Sequence, residues 1–397
     1  MEPSRGRVGK RLGVARQQAN GREPWMPTLR LVADDLTGAL DTAAEFVGLT
    51  GPVPVLWGVQ SAGALPPSAA LDTGTREATA AEAAAAAEAS SPALRGADIG
   101  YKKLDSLLRG HTLLEVAACF RAGGWTHGVF APAFPYQGRA TRGGRQFARG
   151  SAGEWKPVGG DLVAAFGGQG LPARTGRLDG PLPPGLTVFD AETDADLARV
   201  AALGRRTAAG PVLWCGSGGL ARALAGDAAA APSAVLRGPV LGLFGSDQPA
   251  TARQLAACGE AWVKLADGGP AGAALVRERL AERGVAMASL DLPPNLDRAA
   301  AARRIAEEFG RLVRAVPRPG TLIAAGGETL KALCLALGAR CLEAVGQVAP
   351  GVPRSAMRGG AWDGVGVVSK SGAFGGDALW RDLLAGNGLL NGSDEAP

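Results

Sequence analysis

The stretch Leu29-Arg30-Leu31-Val32-Ala33-Asp34-Asp35-Leu36-Thr37-Gly38-Ala39-Leu40-Asp41 decides how this chain is expected to fold. Its apolar start predicts a buried strand, and the residues after the acid pair predict the beginning of a helix. In such a unit Asp34 and Asp35 lie at the carboxyl end of the strand, where open α/β sheets bind ligands. Helix capping is the alternative, because Asp and Thr are good N-cap residues and acids favour the positive end of the helix dipole. Capping explains one of these residues but not the whole cluster.

The composition narrows the class of protein. The 397 residues contain no apolar run of membrane length, and the five scattered cysteines predict reduced thiols rather than disulfides or a zinc site. Residues 1–27 hold six basic and two acidic side chains, which is +4 of the formal net charge of +5. The remainder is close to neutral, which argues against nucleic-acid binding. We expect a disordered basic tail over 1–27 and a cytoplasmic protein with no nucleic-acid or membrane partner.

Short β-rich runs alternate with alanine-rich helical stretches along most of the chain, which is typical of βα units. We predict an α/β fold of two domains, each with a mostly parallel sheet flanked by helices, and an active site in the cleft between them. An alanine-rich segment with one proline separates the predicted domains, 28–230 and 238–397. Residues 138–185 are dense in Gly, Arg and Pro and are expected to form long loops without regular elements.

A second cluster of polar residues follows a predicted strand at 98–103. Lys103, Asp105, Ser106 and Arg109 stand together there. Arginine offers a planar fork that matches a carboxylate and lysine offers a point charge, so the cluster suits a small hydroxy acid whose hydroxyls are bound by Asp and Ser. A solvated, salt-bridged turn is the alternative. A further loop with two prolines, 131–139, also follows a strand and ends in Arg139.

The C-terminal half has several glycine-bearing turns, most of them after apolar strands. They contain Ser246, the run Gly326-Gly327-Glu328-Thr329, and Lys370 with Gly372. Glycine lets backbone N–H groups approach phosphate, and several such turns in one domain favour a nucleotide site. No P-loop or protein-kinase signature occurs. The run 216–221 fits G-x-G-x-x-A, but no acid follows about twenty positions later to bind a ribose, so a dehydrogenase is disfavoured.

These clusters, in this order, resemble the four-carbon acid sugar kinase family, whose members phosphorylate tetronates and 3-oxo-tetronates with ATP. The matching stretches are ADDLTGALD, KKLDSLLRG, APAFPYQGR, GSGGLA, the Gly245-Ser246 turn, GGET, PGVP and KSGAFG. The resemblance implies a substrate domain over 28–230 and a nucleotide-binding domain over 238–397. The sequence departs from the family pattern at two places. Residues 72–76 read DTGTR where the family typically has a DTDSR-like stretch, and His111 stands where an Asn is common.

The resemblance also implies which residues form the site. The sugar acid would contact Asp34, Asp35, Lys103, Asp105, Ser106, Arg109 and Arg139. ATP would lie against Ser246, Gly326, Gly327, Glu328, Thr329, Lys370 and Gly372.

The expected mechanism is phosphoryl transfer, in which positioning and charge neutralisation matter most. We expect Lys103 and Arg109 to hold the substrate carboxylate and Asp34 or Asp35 to accept the proton of the attacking hydroxyl. Mg²⁺ is expected with ATP, and no residue is assigned as a metal ligand, although Glu328 is a candidate. A non-catalytic protein of the same fold that senses sugar acids is the alternative, and a homodimer is left open as the assembly.

Overall fold

The computed structural model describes residues 26–58, 65–150, 152–207, 210–293 and 296–390. The N-terminal half has the following elements: β1 (Leu29–Ala33), α1 (Leu36–Thr50), β2 (Val53–Trp57), β3 (Ala69–Asp72), α2 (Ala80–Leu94), β4 (Ile99–Lys103), α3 (Thr112–Gly123), β5 (His127–Ala131), β6 (Arg139–Arg142), β7 (Arg145–Arg149), β8 (Trp155–Val158), α4 (Leu162–Gly168), β9 (Ala173–Thr175), β10 (Gly185–Val188), α5 (Asp194–Thr207), β11 (Val212–Gly216) and α6 (Gly218–Ala225).

The C-terminal half follows after a short extended connection. Its elements are β12 (Val240–Phe244), α7 (Pro249–Ala256), β13 (Trp262–Leu265), α8 (Pro270–Arg283), β14 (Val285–Leu290), α9 (Arg298–Ala315), β15 (Thr321–Ala325), α10 (Gly327–Ala336), β16 (Cys341–Ala349), β17 (Val352–Arg358), β18 (Gly366–Lys370) and α11 (Leu379–Ala385).

One sheet runs through both halves of the molecule. Its strand order is β13-β14-β12-β15-β18-β17-β16-β2-β3-β1-β4-β11-β5-β10-β9. The strands on each side of the β16–β17 hairpin are parallel to one another, whereas the pairings β18–β17, β17–β16 and β16–β2 are antiparallel. The α/β class with mostly parallel strands flanked by helices is therefore confirmed. The two expected sheets, however, are joined edge to edge by this hairpin.

Helix α1 occupies the centre of the structure. It packs against its own strand β1, against α6, and against β16 and β17 of the other half. Its core-facing residues, such as Leu36, Leu40 and Phe46, are almost completely buried. They belong to a single apolar cluster that extends from Leu29 to Val367 and so includes both halves of the chain. The amino end of α1 is thereby fixed beside the C-terminal half.

Most of the buried parallel strands lie within one or two residues of their predicted positions, as β4 does at 98–103. The exception is β3, which is buried and parallel to its neighbours but was not predicted. The prediction for 138–185 is wrong, because these residues form β6, β7 and β8, which make a separate antiparallel sheet, followed by α4 and β9. The turn between β6 and β7 is Gly143-Gly144, with φ angles of +55° and +70°. Two successive glycines with positive φ suit a two-residue hairpin turn, so the sequence did carry a signal for this hairpin.

Several other expectations concern the whole chain. All five cysteines are unpaired, as predicted. None of the described helices is long and apolar enough to cross a membrane. Most of the predicted basic tail, residues 1–25, lies outside the described residues. The boundary between domains 28–230 and 238–397, the cytoplasmic location and the homodimer stay predictions.

Candidate active site

A cleft lies at the amino end of α1. Its walls come from the strand ends of the N-terminal half and from the loops after β16 and β18 of the other half. The lining residues are Asp35, Thr37, Gly38, Asp41, Arg76, Lys103, Asp105, Ser106, Arg109, Phe134, Gln137, Ser217, Gly351, Ser371 and Phe374. The structure therefore brings five of the seven predicted substrate residues into one cleft, and leaves Asp34 and Arg139 outside its lining.

Asp35 is the N-cap of α1 and also a wall of the cleft. Its Oδ1 accepts a hydrogen bond from the Gly38 backbone N–H at 2.9 Å, and its Oδ2 accepts one from Thr37 Oγ1 at 2.7 Å. Capping satisfies N–H groups that the first helical turn leaves without partners. The capping interpretation is thus correct for Asp35, and it does not exclude a role in the cleft.

Arg76, in the loop after β3, binds three carboxylates. Its Nε and Nη2 donate to the two oxygens of Asp34 at 2.8 and 2.7 Å, and its Nη1 and Nη2 donate to Asp35, both at 3.0 Å. Its Nη1 also lies 3.3 Å from Asp105 Oδ2. Burial alone would raise the pKa of Asp34, but the hydrogen bonds and charge of Arg76 outweigh burial and lower it. Asp34 is 3% exposed and acts here as the anchor of Arg76.

Asp105 organises the loop after β4. Its Oδ2 accepts hydrogen bonds from Nε and Nη2 of Arg109 at 2.8 and 2.5 Å, and its Oδ1 accepts one from the Leu107 backbone N–H. The Arg109 side chain remains 53% exposed, so it can still contact a ligand. Leu108 has a φ of +55°, which costs a non-glycine residue about 1–2 kcal/mol. The cluster is therefore a salt-bridged loop in which Asp105 is buried and Arg109 faces solvent.

Ser106 and Arg139 occupy different surroundings. Ser106 lines the cleft, and its backbone oxygen accepts a hydrogen bond from the Gln146 side chain at 2.9 Å. Arg139 Nη1 donates to the backbone oxygens of Gln137 and Gly138 at 2.8 and 3.1 Å. Burial lowers the pKa of Arg139, although Asp105 opposes this. Arg139 thus supports the loop that carries Gln137 into the cleft.

Lys103 is the last residue of β4 and is 7% exposed. No hydrogen bond or ion pair of its ammonium group occurs within the described part of the chain. Gly38 leaves room for it, because a Cβ at position 38 would lie 3.0 Å from Lys103 Nζ. A buried cation that keeps its hydrogen-bonding capacity is suited to an anionic ligand.

Asp41 lies in the second turn of α1 and lines the same cleft. Its Oδ1 is buried and has no hydrogen-bond partner in the described structure. Burial raises the pKa of Asp41 to about 6, and Lys103 opposes that rise while Asp35 adds to it. The sequence contained this residue inside the ADDLTGALD stretch but gave no reason to single it out.

The predicted nucleotide residues come together where β12, β15 and β18 end. Ser246 Oγ stands so close to Gly372 that a Cβ there would overlap it, and the Gly372 backbone oxygen accepts a hydrogen bond from Thr251. Gly326, with a φ of +101°, begins the turn into α10. A Cβ at Gly327 would lie 3.4 Å from Thr37 Oγ1, and 3.6 Å from Asp35 Oδ2. The amino ends of α1 and α10 are thus in contact.

Lys370 is buried beneath the loop that follows β18. It is 1% exposed, and its Nζ donates to the backbone oxygens of Ser371 and Gly372, each at 3.1 Å. Burial lowers its pKa to about 7. This placement supports the glycine loop from below, whereas the sequence suggested a direct contact with phosphate. Glu328 is exposed in the first turn of α10, and Thr329 is buried behind it.

An ion pair connects the two halves beside the cleft. Lys331 Nζ of α10 lies 2.9 Å from Oδ2 of Asp72, which ends β3 and is 1% exposed. Burial raises the pKa of Asp72, and Lys331 opposes that rise. This pair lies at the start of the DTGTR stretch that also supplies Arg76, so the departure from the family pattern is located at the junction between the halves.

Comparison with known proteins shows which family the chain belongs to. A D-threonate kinase from Bordetella bronchiseptica is 35% identical, and the match covers 88% of this chain and 95% of the relative. The chain belongs to the four-carbon acid sugar kinase family. Other similarities agree with this membership. A D-threonate kinase from Cupriavidus necator is 34% identical and covers 88% of this chain and 96% of the relative.

Two domain families also match the chain. A domain described as a sugar-binding N-terminal domain matches residues 29–167, and one described as a nucleotide-binding C-terminal domain matches residues 246–379. A solved structure from Salmonella typhimurium LT2 has a TM-score of 0.68, with 22% identity, covering 89% of this chain and 98% of that one. At 22% identity, the similarity to this structure shows the fold alone.

Proposed function

We propose that this member of the four-carbon acid sugar kinase family transfers the γ-phosphoryl group of ATP to the terminal hydroxyl of a four-carbon sugar acid. Threonate, erythronate and 3-oxo-tetronate are the candidate acids. The contact between Gly327 and the amino end of α1 carries the proposal. It joins the acids and cations of the first half to the glycine turns of the second. The names of the relatives from B. bronchiseptica and C. necator make D-threonate the first acid to test.

The cations of the cleft suit a carboxylate substrate. Lys103 is buried, and its ammonium group has no hydrogen-bond or ion-pair partner in the described structure, so it can take an anionic ligand. Arg109 uses Nε and Nη2 on Asp105, which orients its fork and leaves Nη1 for a ligand. We propose that these two hold the substrate carboxylate and that Ser106 contacts a hydroxyl.

The nucleotide phosphates are proposed to lie between the Ser246 turn, the Gly326-Gly327 turn and the Gly372 loop. Helix α10 begins there, and its first N–H groups and dipole favour negative charge. Lys370 would contribute by holding the loop carbonyls, so that the loop N–H groups remain available. Closure around both substrates would exclude water and suppress ATP hydrolysis.

A magnesium ion fits this arrangement as a companion of ATP. No group of three or more His, Cys, Asp or Glu suited to a metal occurs among the residues that the structure describes. Mg²⁺ in such sites takes one or two carboxylates, phosphate oxygens and waters, so a protein cage is not required. Glu328, exposed at the start of α10, is the carboxylate we propose for it. The bound ion would neutralise phosphate charge.

An ADP-release assay tests the proposal. The purified protein is given Mg-ATP and, in turn, the D and L forms of threonate and erythronate and the 3-oxo-tetronates. We expect acid-dependent ADP release with at least one of them and a phosphorylated product by mass spectrometry. No release above the acid-free rate, from protein that is folded and binds an acid by calorimetry, would contradict the kinase and support the sensing alternative.

A further inference from the structure

The carboxylates of the cleft differ in how much of their hydrogen-bonding capacity is already used. Asp35 accepts four hydrogen bonds, two on each oxygen: Oδ1 from Gly38 and Arg76, Oδ2 from Thr37 and Arg76. A carboxylate has about four such positions, so Asp35 is saturated. Asp34 is buried behind Arg76, outside the cleft lining. Both carboxylates are held by Arg76, and for Asp34 the hydrogen bonds and charge of Arg76 lower the pKa despite its burial.

The carboxylate oxygens of Asp105 also have hydrogen-bond partners. Its Oδ2 receives Arg109 and lies beside Arg76, and its Oδ1 receives a backbone N–H. The charge of Arg76, with the hydrogen bond of Arg109, lowers the pKa of Asp105 despite its burial. Asp41 is the exception, because it lines the cleft and one of its oxygens has no hydrogen-bond partner in the described structure.

The surroundings of Asp41 keep it able to exchange a proton. The charged and titratable groups that face it are Lys103 and Tyr101 from β4, Asp35 at the helix cap and Glu45 one turn further along α1. The Tyr101 hydroxyl donates to the Ser217 backbone oxygen and is not available to Asp41 as a donor. Of the other cations, Arg222 of α6 faces Glu45, and Lys331 of α10 is paired with Asp72.

We infer that Asp41, rather than Asp34 or Asp35, accepts the proton of the attacking hydroxyl. The inference rests on the proposed kinase function. In the step, the hydroxyl oxygen forms a bond to the γ-phosphorus while the bond from that phosphorus to the β,γ-bridging oxygen breaks. ADP leaves with the electron pair of that bond, and the hydroxyl proton passes to the Asp41 carboxylate. Asp35 is then a positioning residue, which fixes Arg76 and the start of α1.

The position of Asp41 agrees with this role. It lies on the same face of α1 as Thr37, four residues earlier, and it shares the cleft with Lys103, the proposed holder of the substrate carboxylate. A general base works best when its pKa lies close to the operating pH, and burial raises the pKa of Asp41 to about 6. At neutral pH the group is mostly ionised and ready to accept a proton.

Kinetics of Asp41→Asn and Asp35→Asn, measured from pH 5 to 9, test the inference. Asparagine has the same shape, and circular dichroism confirms that each variant is folded. For Asp41→Asn we expect kcat to fall about 10²- to 10⁴-fold, while KM for the acid and for ATP changes little. In the wild type kcat should decline below about pH 6, as Asp41 becomes protonated, and this decline should be absent from the residual activity of the variant.

Asp35→Asn should behave differently. It should raise KM for the acid, because Arg76 loses a partner, and keep the decline of kcat below about pH 6. Glu45→Gln, one turn from Asp41 and away from the cleft lining, is the control and should keep both kcat and the acid-side decline. Binding of the acid and of ADP to Asp41→Asn, followed by calorimetry, should match the wild type.

The outcomes separate the inference from the proposed function. A wild type that turns over an acid while Asp41→Asn keeps its kcat overturns the inference alone. The same holds if Asp41→Asn changes only KM, or if Asp35→Asn loses the acid-side decline while Asp41→Asn retains it. No turnover by the wild type with any acid overturns the kinase function and the inference with it.

Discussion

Glu45 is a buried acid on α1, and we predict that Glu45→Gln will make stability less dependent on pH. The side chain is 0% exposed, and neither carboxylate oxygen has a hydrogen-bond partner in the described structure. Burial raises its pKa from 4.5 to about 8, and the charge of Asp41 adds to the rise, while the charge of Arg222 opposes it. At neutral pH the folded protein therefore keeps this proton, whereas the unfolded chain has lost it.

The sign and size of the effect follow from proton linkage. Between about pH 5 and pH 8 the native state binds one more proton at Glu45 than the unfolded state, so the free energy of unfolding falls as the pH rises. The slope from this group is about 1.4 kcal/mol per pH unit, or about 4 kcal/mol over the three units. The stabilisation is complete below the unfolded pKa of 4.5 and is lost as the pH rises to about 8. Glutamine does not titrate, so the variant should lack this slope.

Urea unfolding at pH 5.5, 6.5 and 7.5, followed by tryptophan fluorescence, measures the difference. The wild type should lose about 3 kcal/mol more than Glu45→Gln between the two end points. Glu88→Gln, on an exposed position of α2, makes the same chemical change at the surface and is the matched control. Parallel stability curves for the wild type and Glu45→Gln would refute the reasoning, because they would mean that Glu45 has released its proton in the folded protein.

Three further substitutions probe the cleft and its supports. Arg76→Lys should lower the free energy of unfolding by about 3 kcal/mol in urea, because lysine cannot reproduce the fork that pairs buried carboxylates. Gly351→Ala should raise KM for the acid several-fold with little change in kcat, since φ is +81° and the new Cβ would displace the Phe374 ring. Lys331→Met should destabilise by about 2 kcal/mol in urea, because it leaves the buried Asp72 unpaired; Lys156→Met, an exposed lysine, is its control and should change little.

Each of these three predictions has a clear contrary result. Unchanged urea midpoints would mean that Arg76 and Lys331 contribute no net stability. A wild-type KM in Gly351→Ala would mean that displacing the Phe374 ring, which lines the cleft, does not affect binding of the acid.

The strands that the sequence predicted well are those buried on both faces. Runs such as Val240–Phe244 and Thr321–Ala325 are apolar throughout, as parallel strands covered on both faces are expected to be. The hairpin of β16 and β17 was not predicted. Gly346, Pro350 and Gly351 interrupt it, and exposed and buried residues alternate only in part. Its role as the join between two sheets depends on pairing with β2, which lies almost 300 residues earlier and leaves no local signal.

In the candidate site, too, the sequence predicted residues with a local signal and missed those that depend on distant partners or on burial. Asp34, Asp35 and the cluster at 103–109 were found because each stands directly after an apolar strand. Arg76 was missed as a site residue because its partner Asp34 lies 42 positions away, with α1, β2 and β3 between them. The loop after β3 that carries Arg76 has no regular pattern. Asp41 was missed because its chemistry comes from burial and from an oxygen without a hydrogen-bond partner, and neither can be read from residue type.

The motif ADDLTGALD therefore holds three carboxylates with three different environments. Asp34 is buried with Arg76, whose hydrogen bonds and charge more than offset the effect of burial, so its pKa is lowered. Both oxygens of Asp35 accept hydrogen bonds from the helix cap and from the same arginine. Asp41 forms no ion pair in the described structure, its Oδ1 is buried without a partner, and burial raises its pKa to about 6. Neighbouring acids whose pKa values are pushed apart are the arrangement by which a site divides structural from proton-transfer roles. A single substitution of the paired Arg76 should therefore disturb Asp34 and Asp35 together while leaving the titration of Asp41 in place.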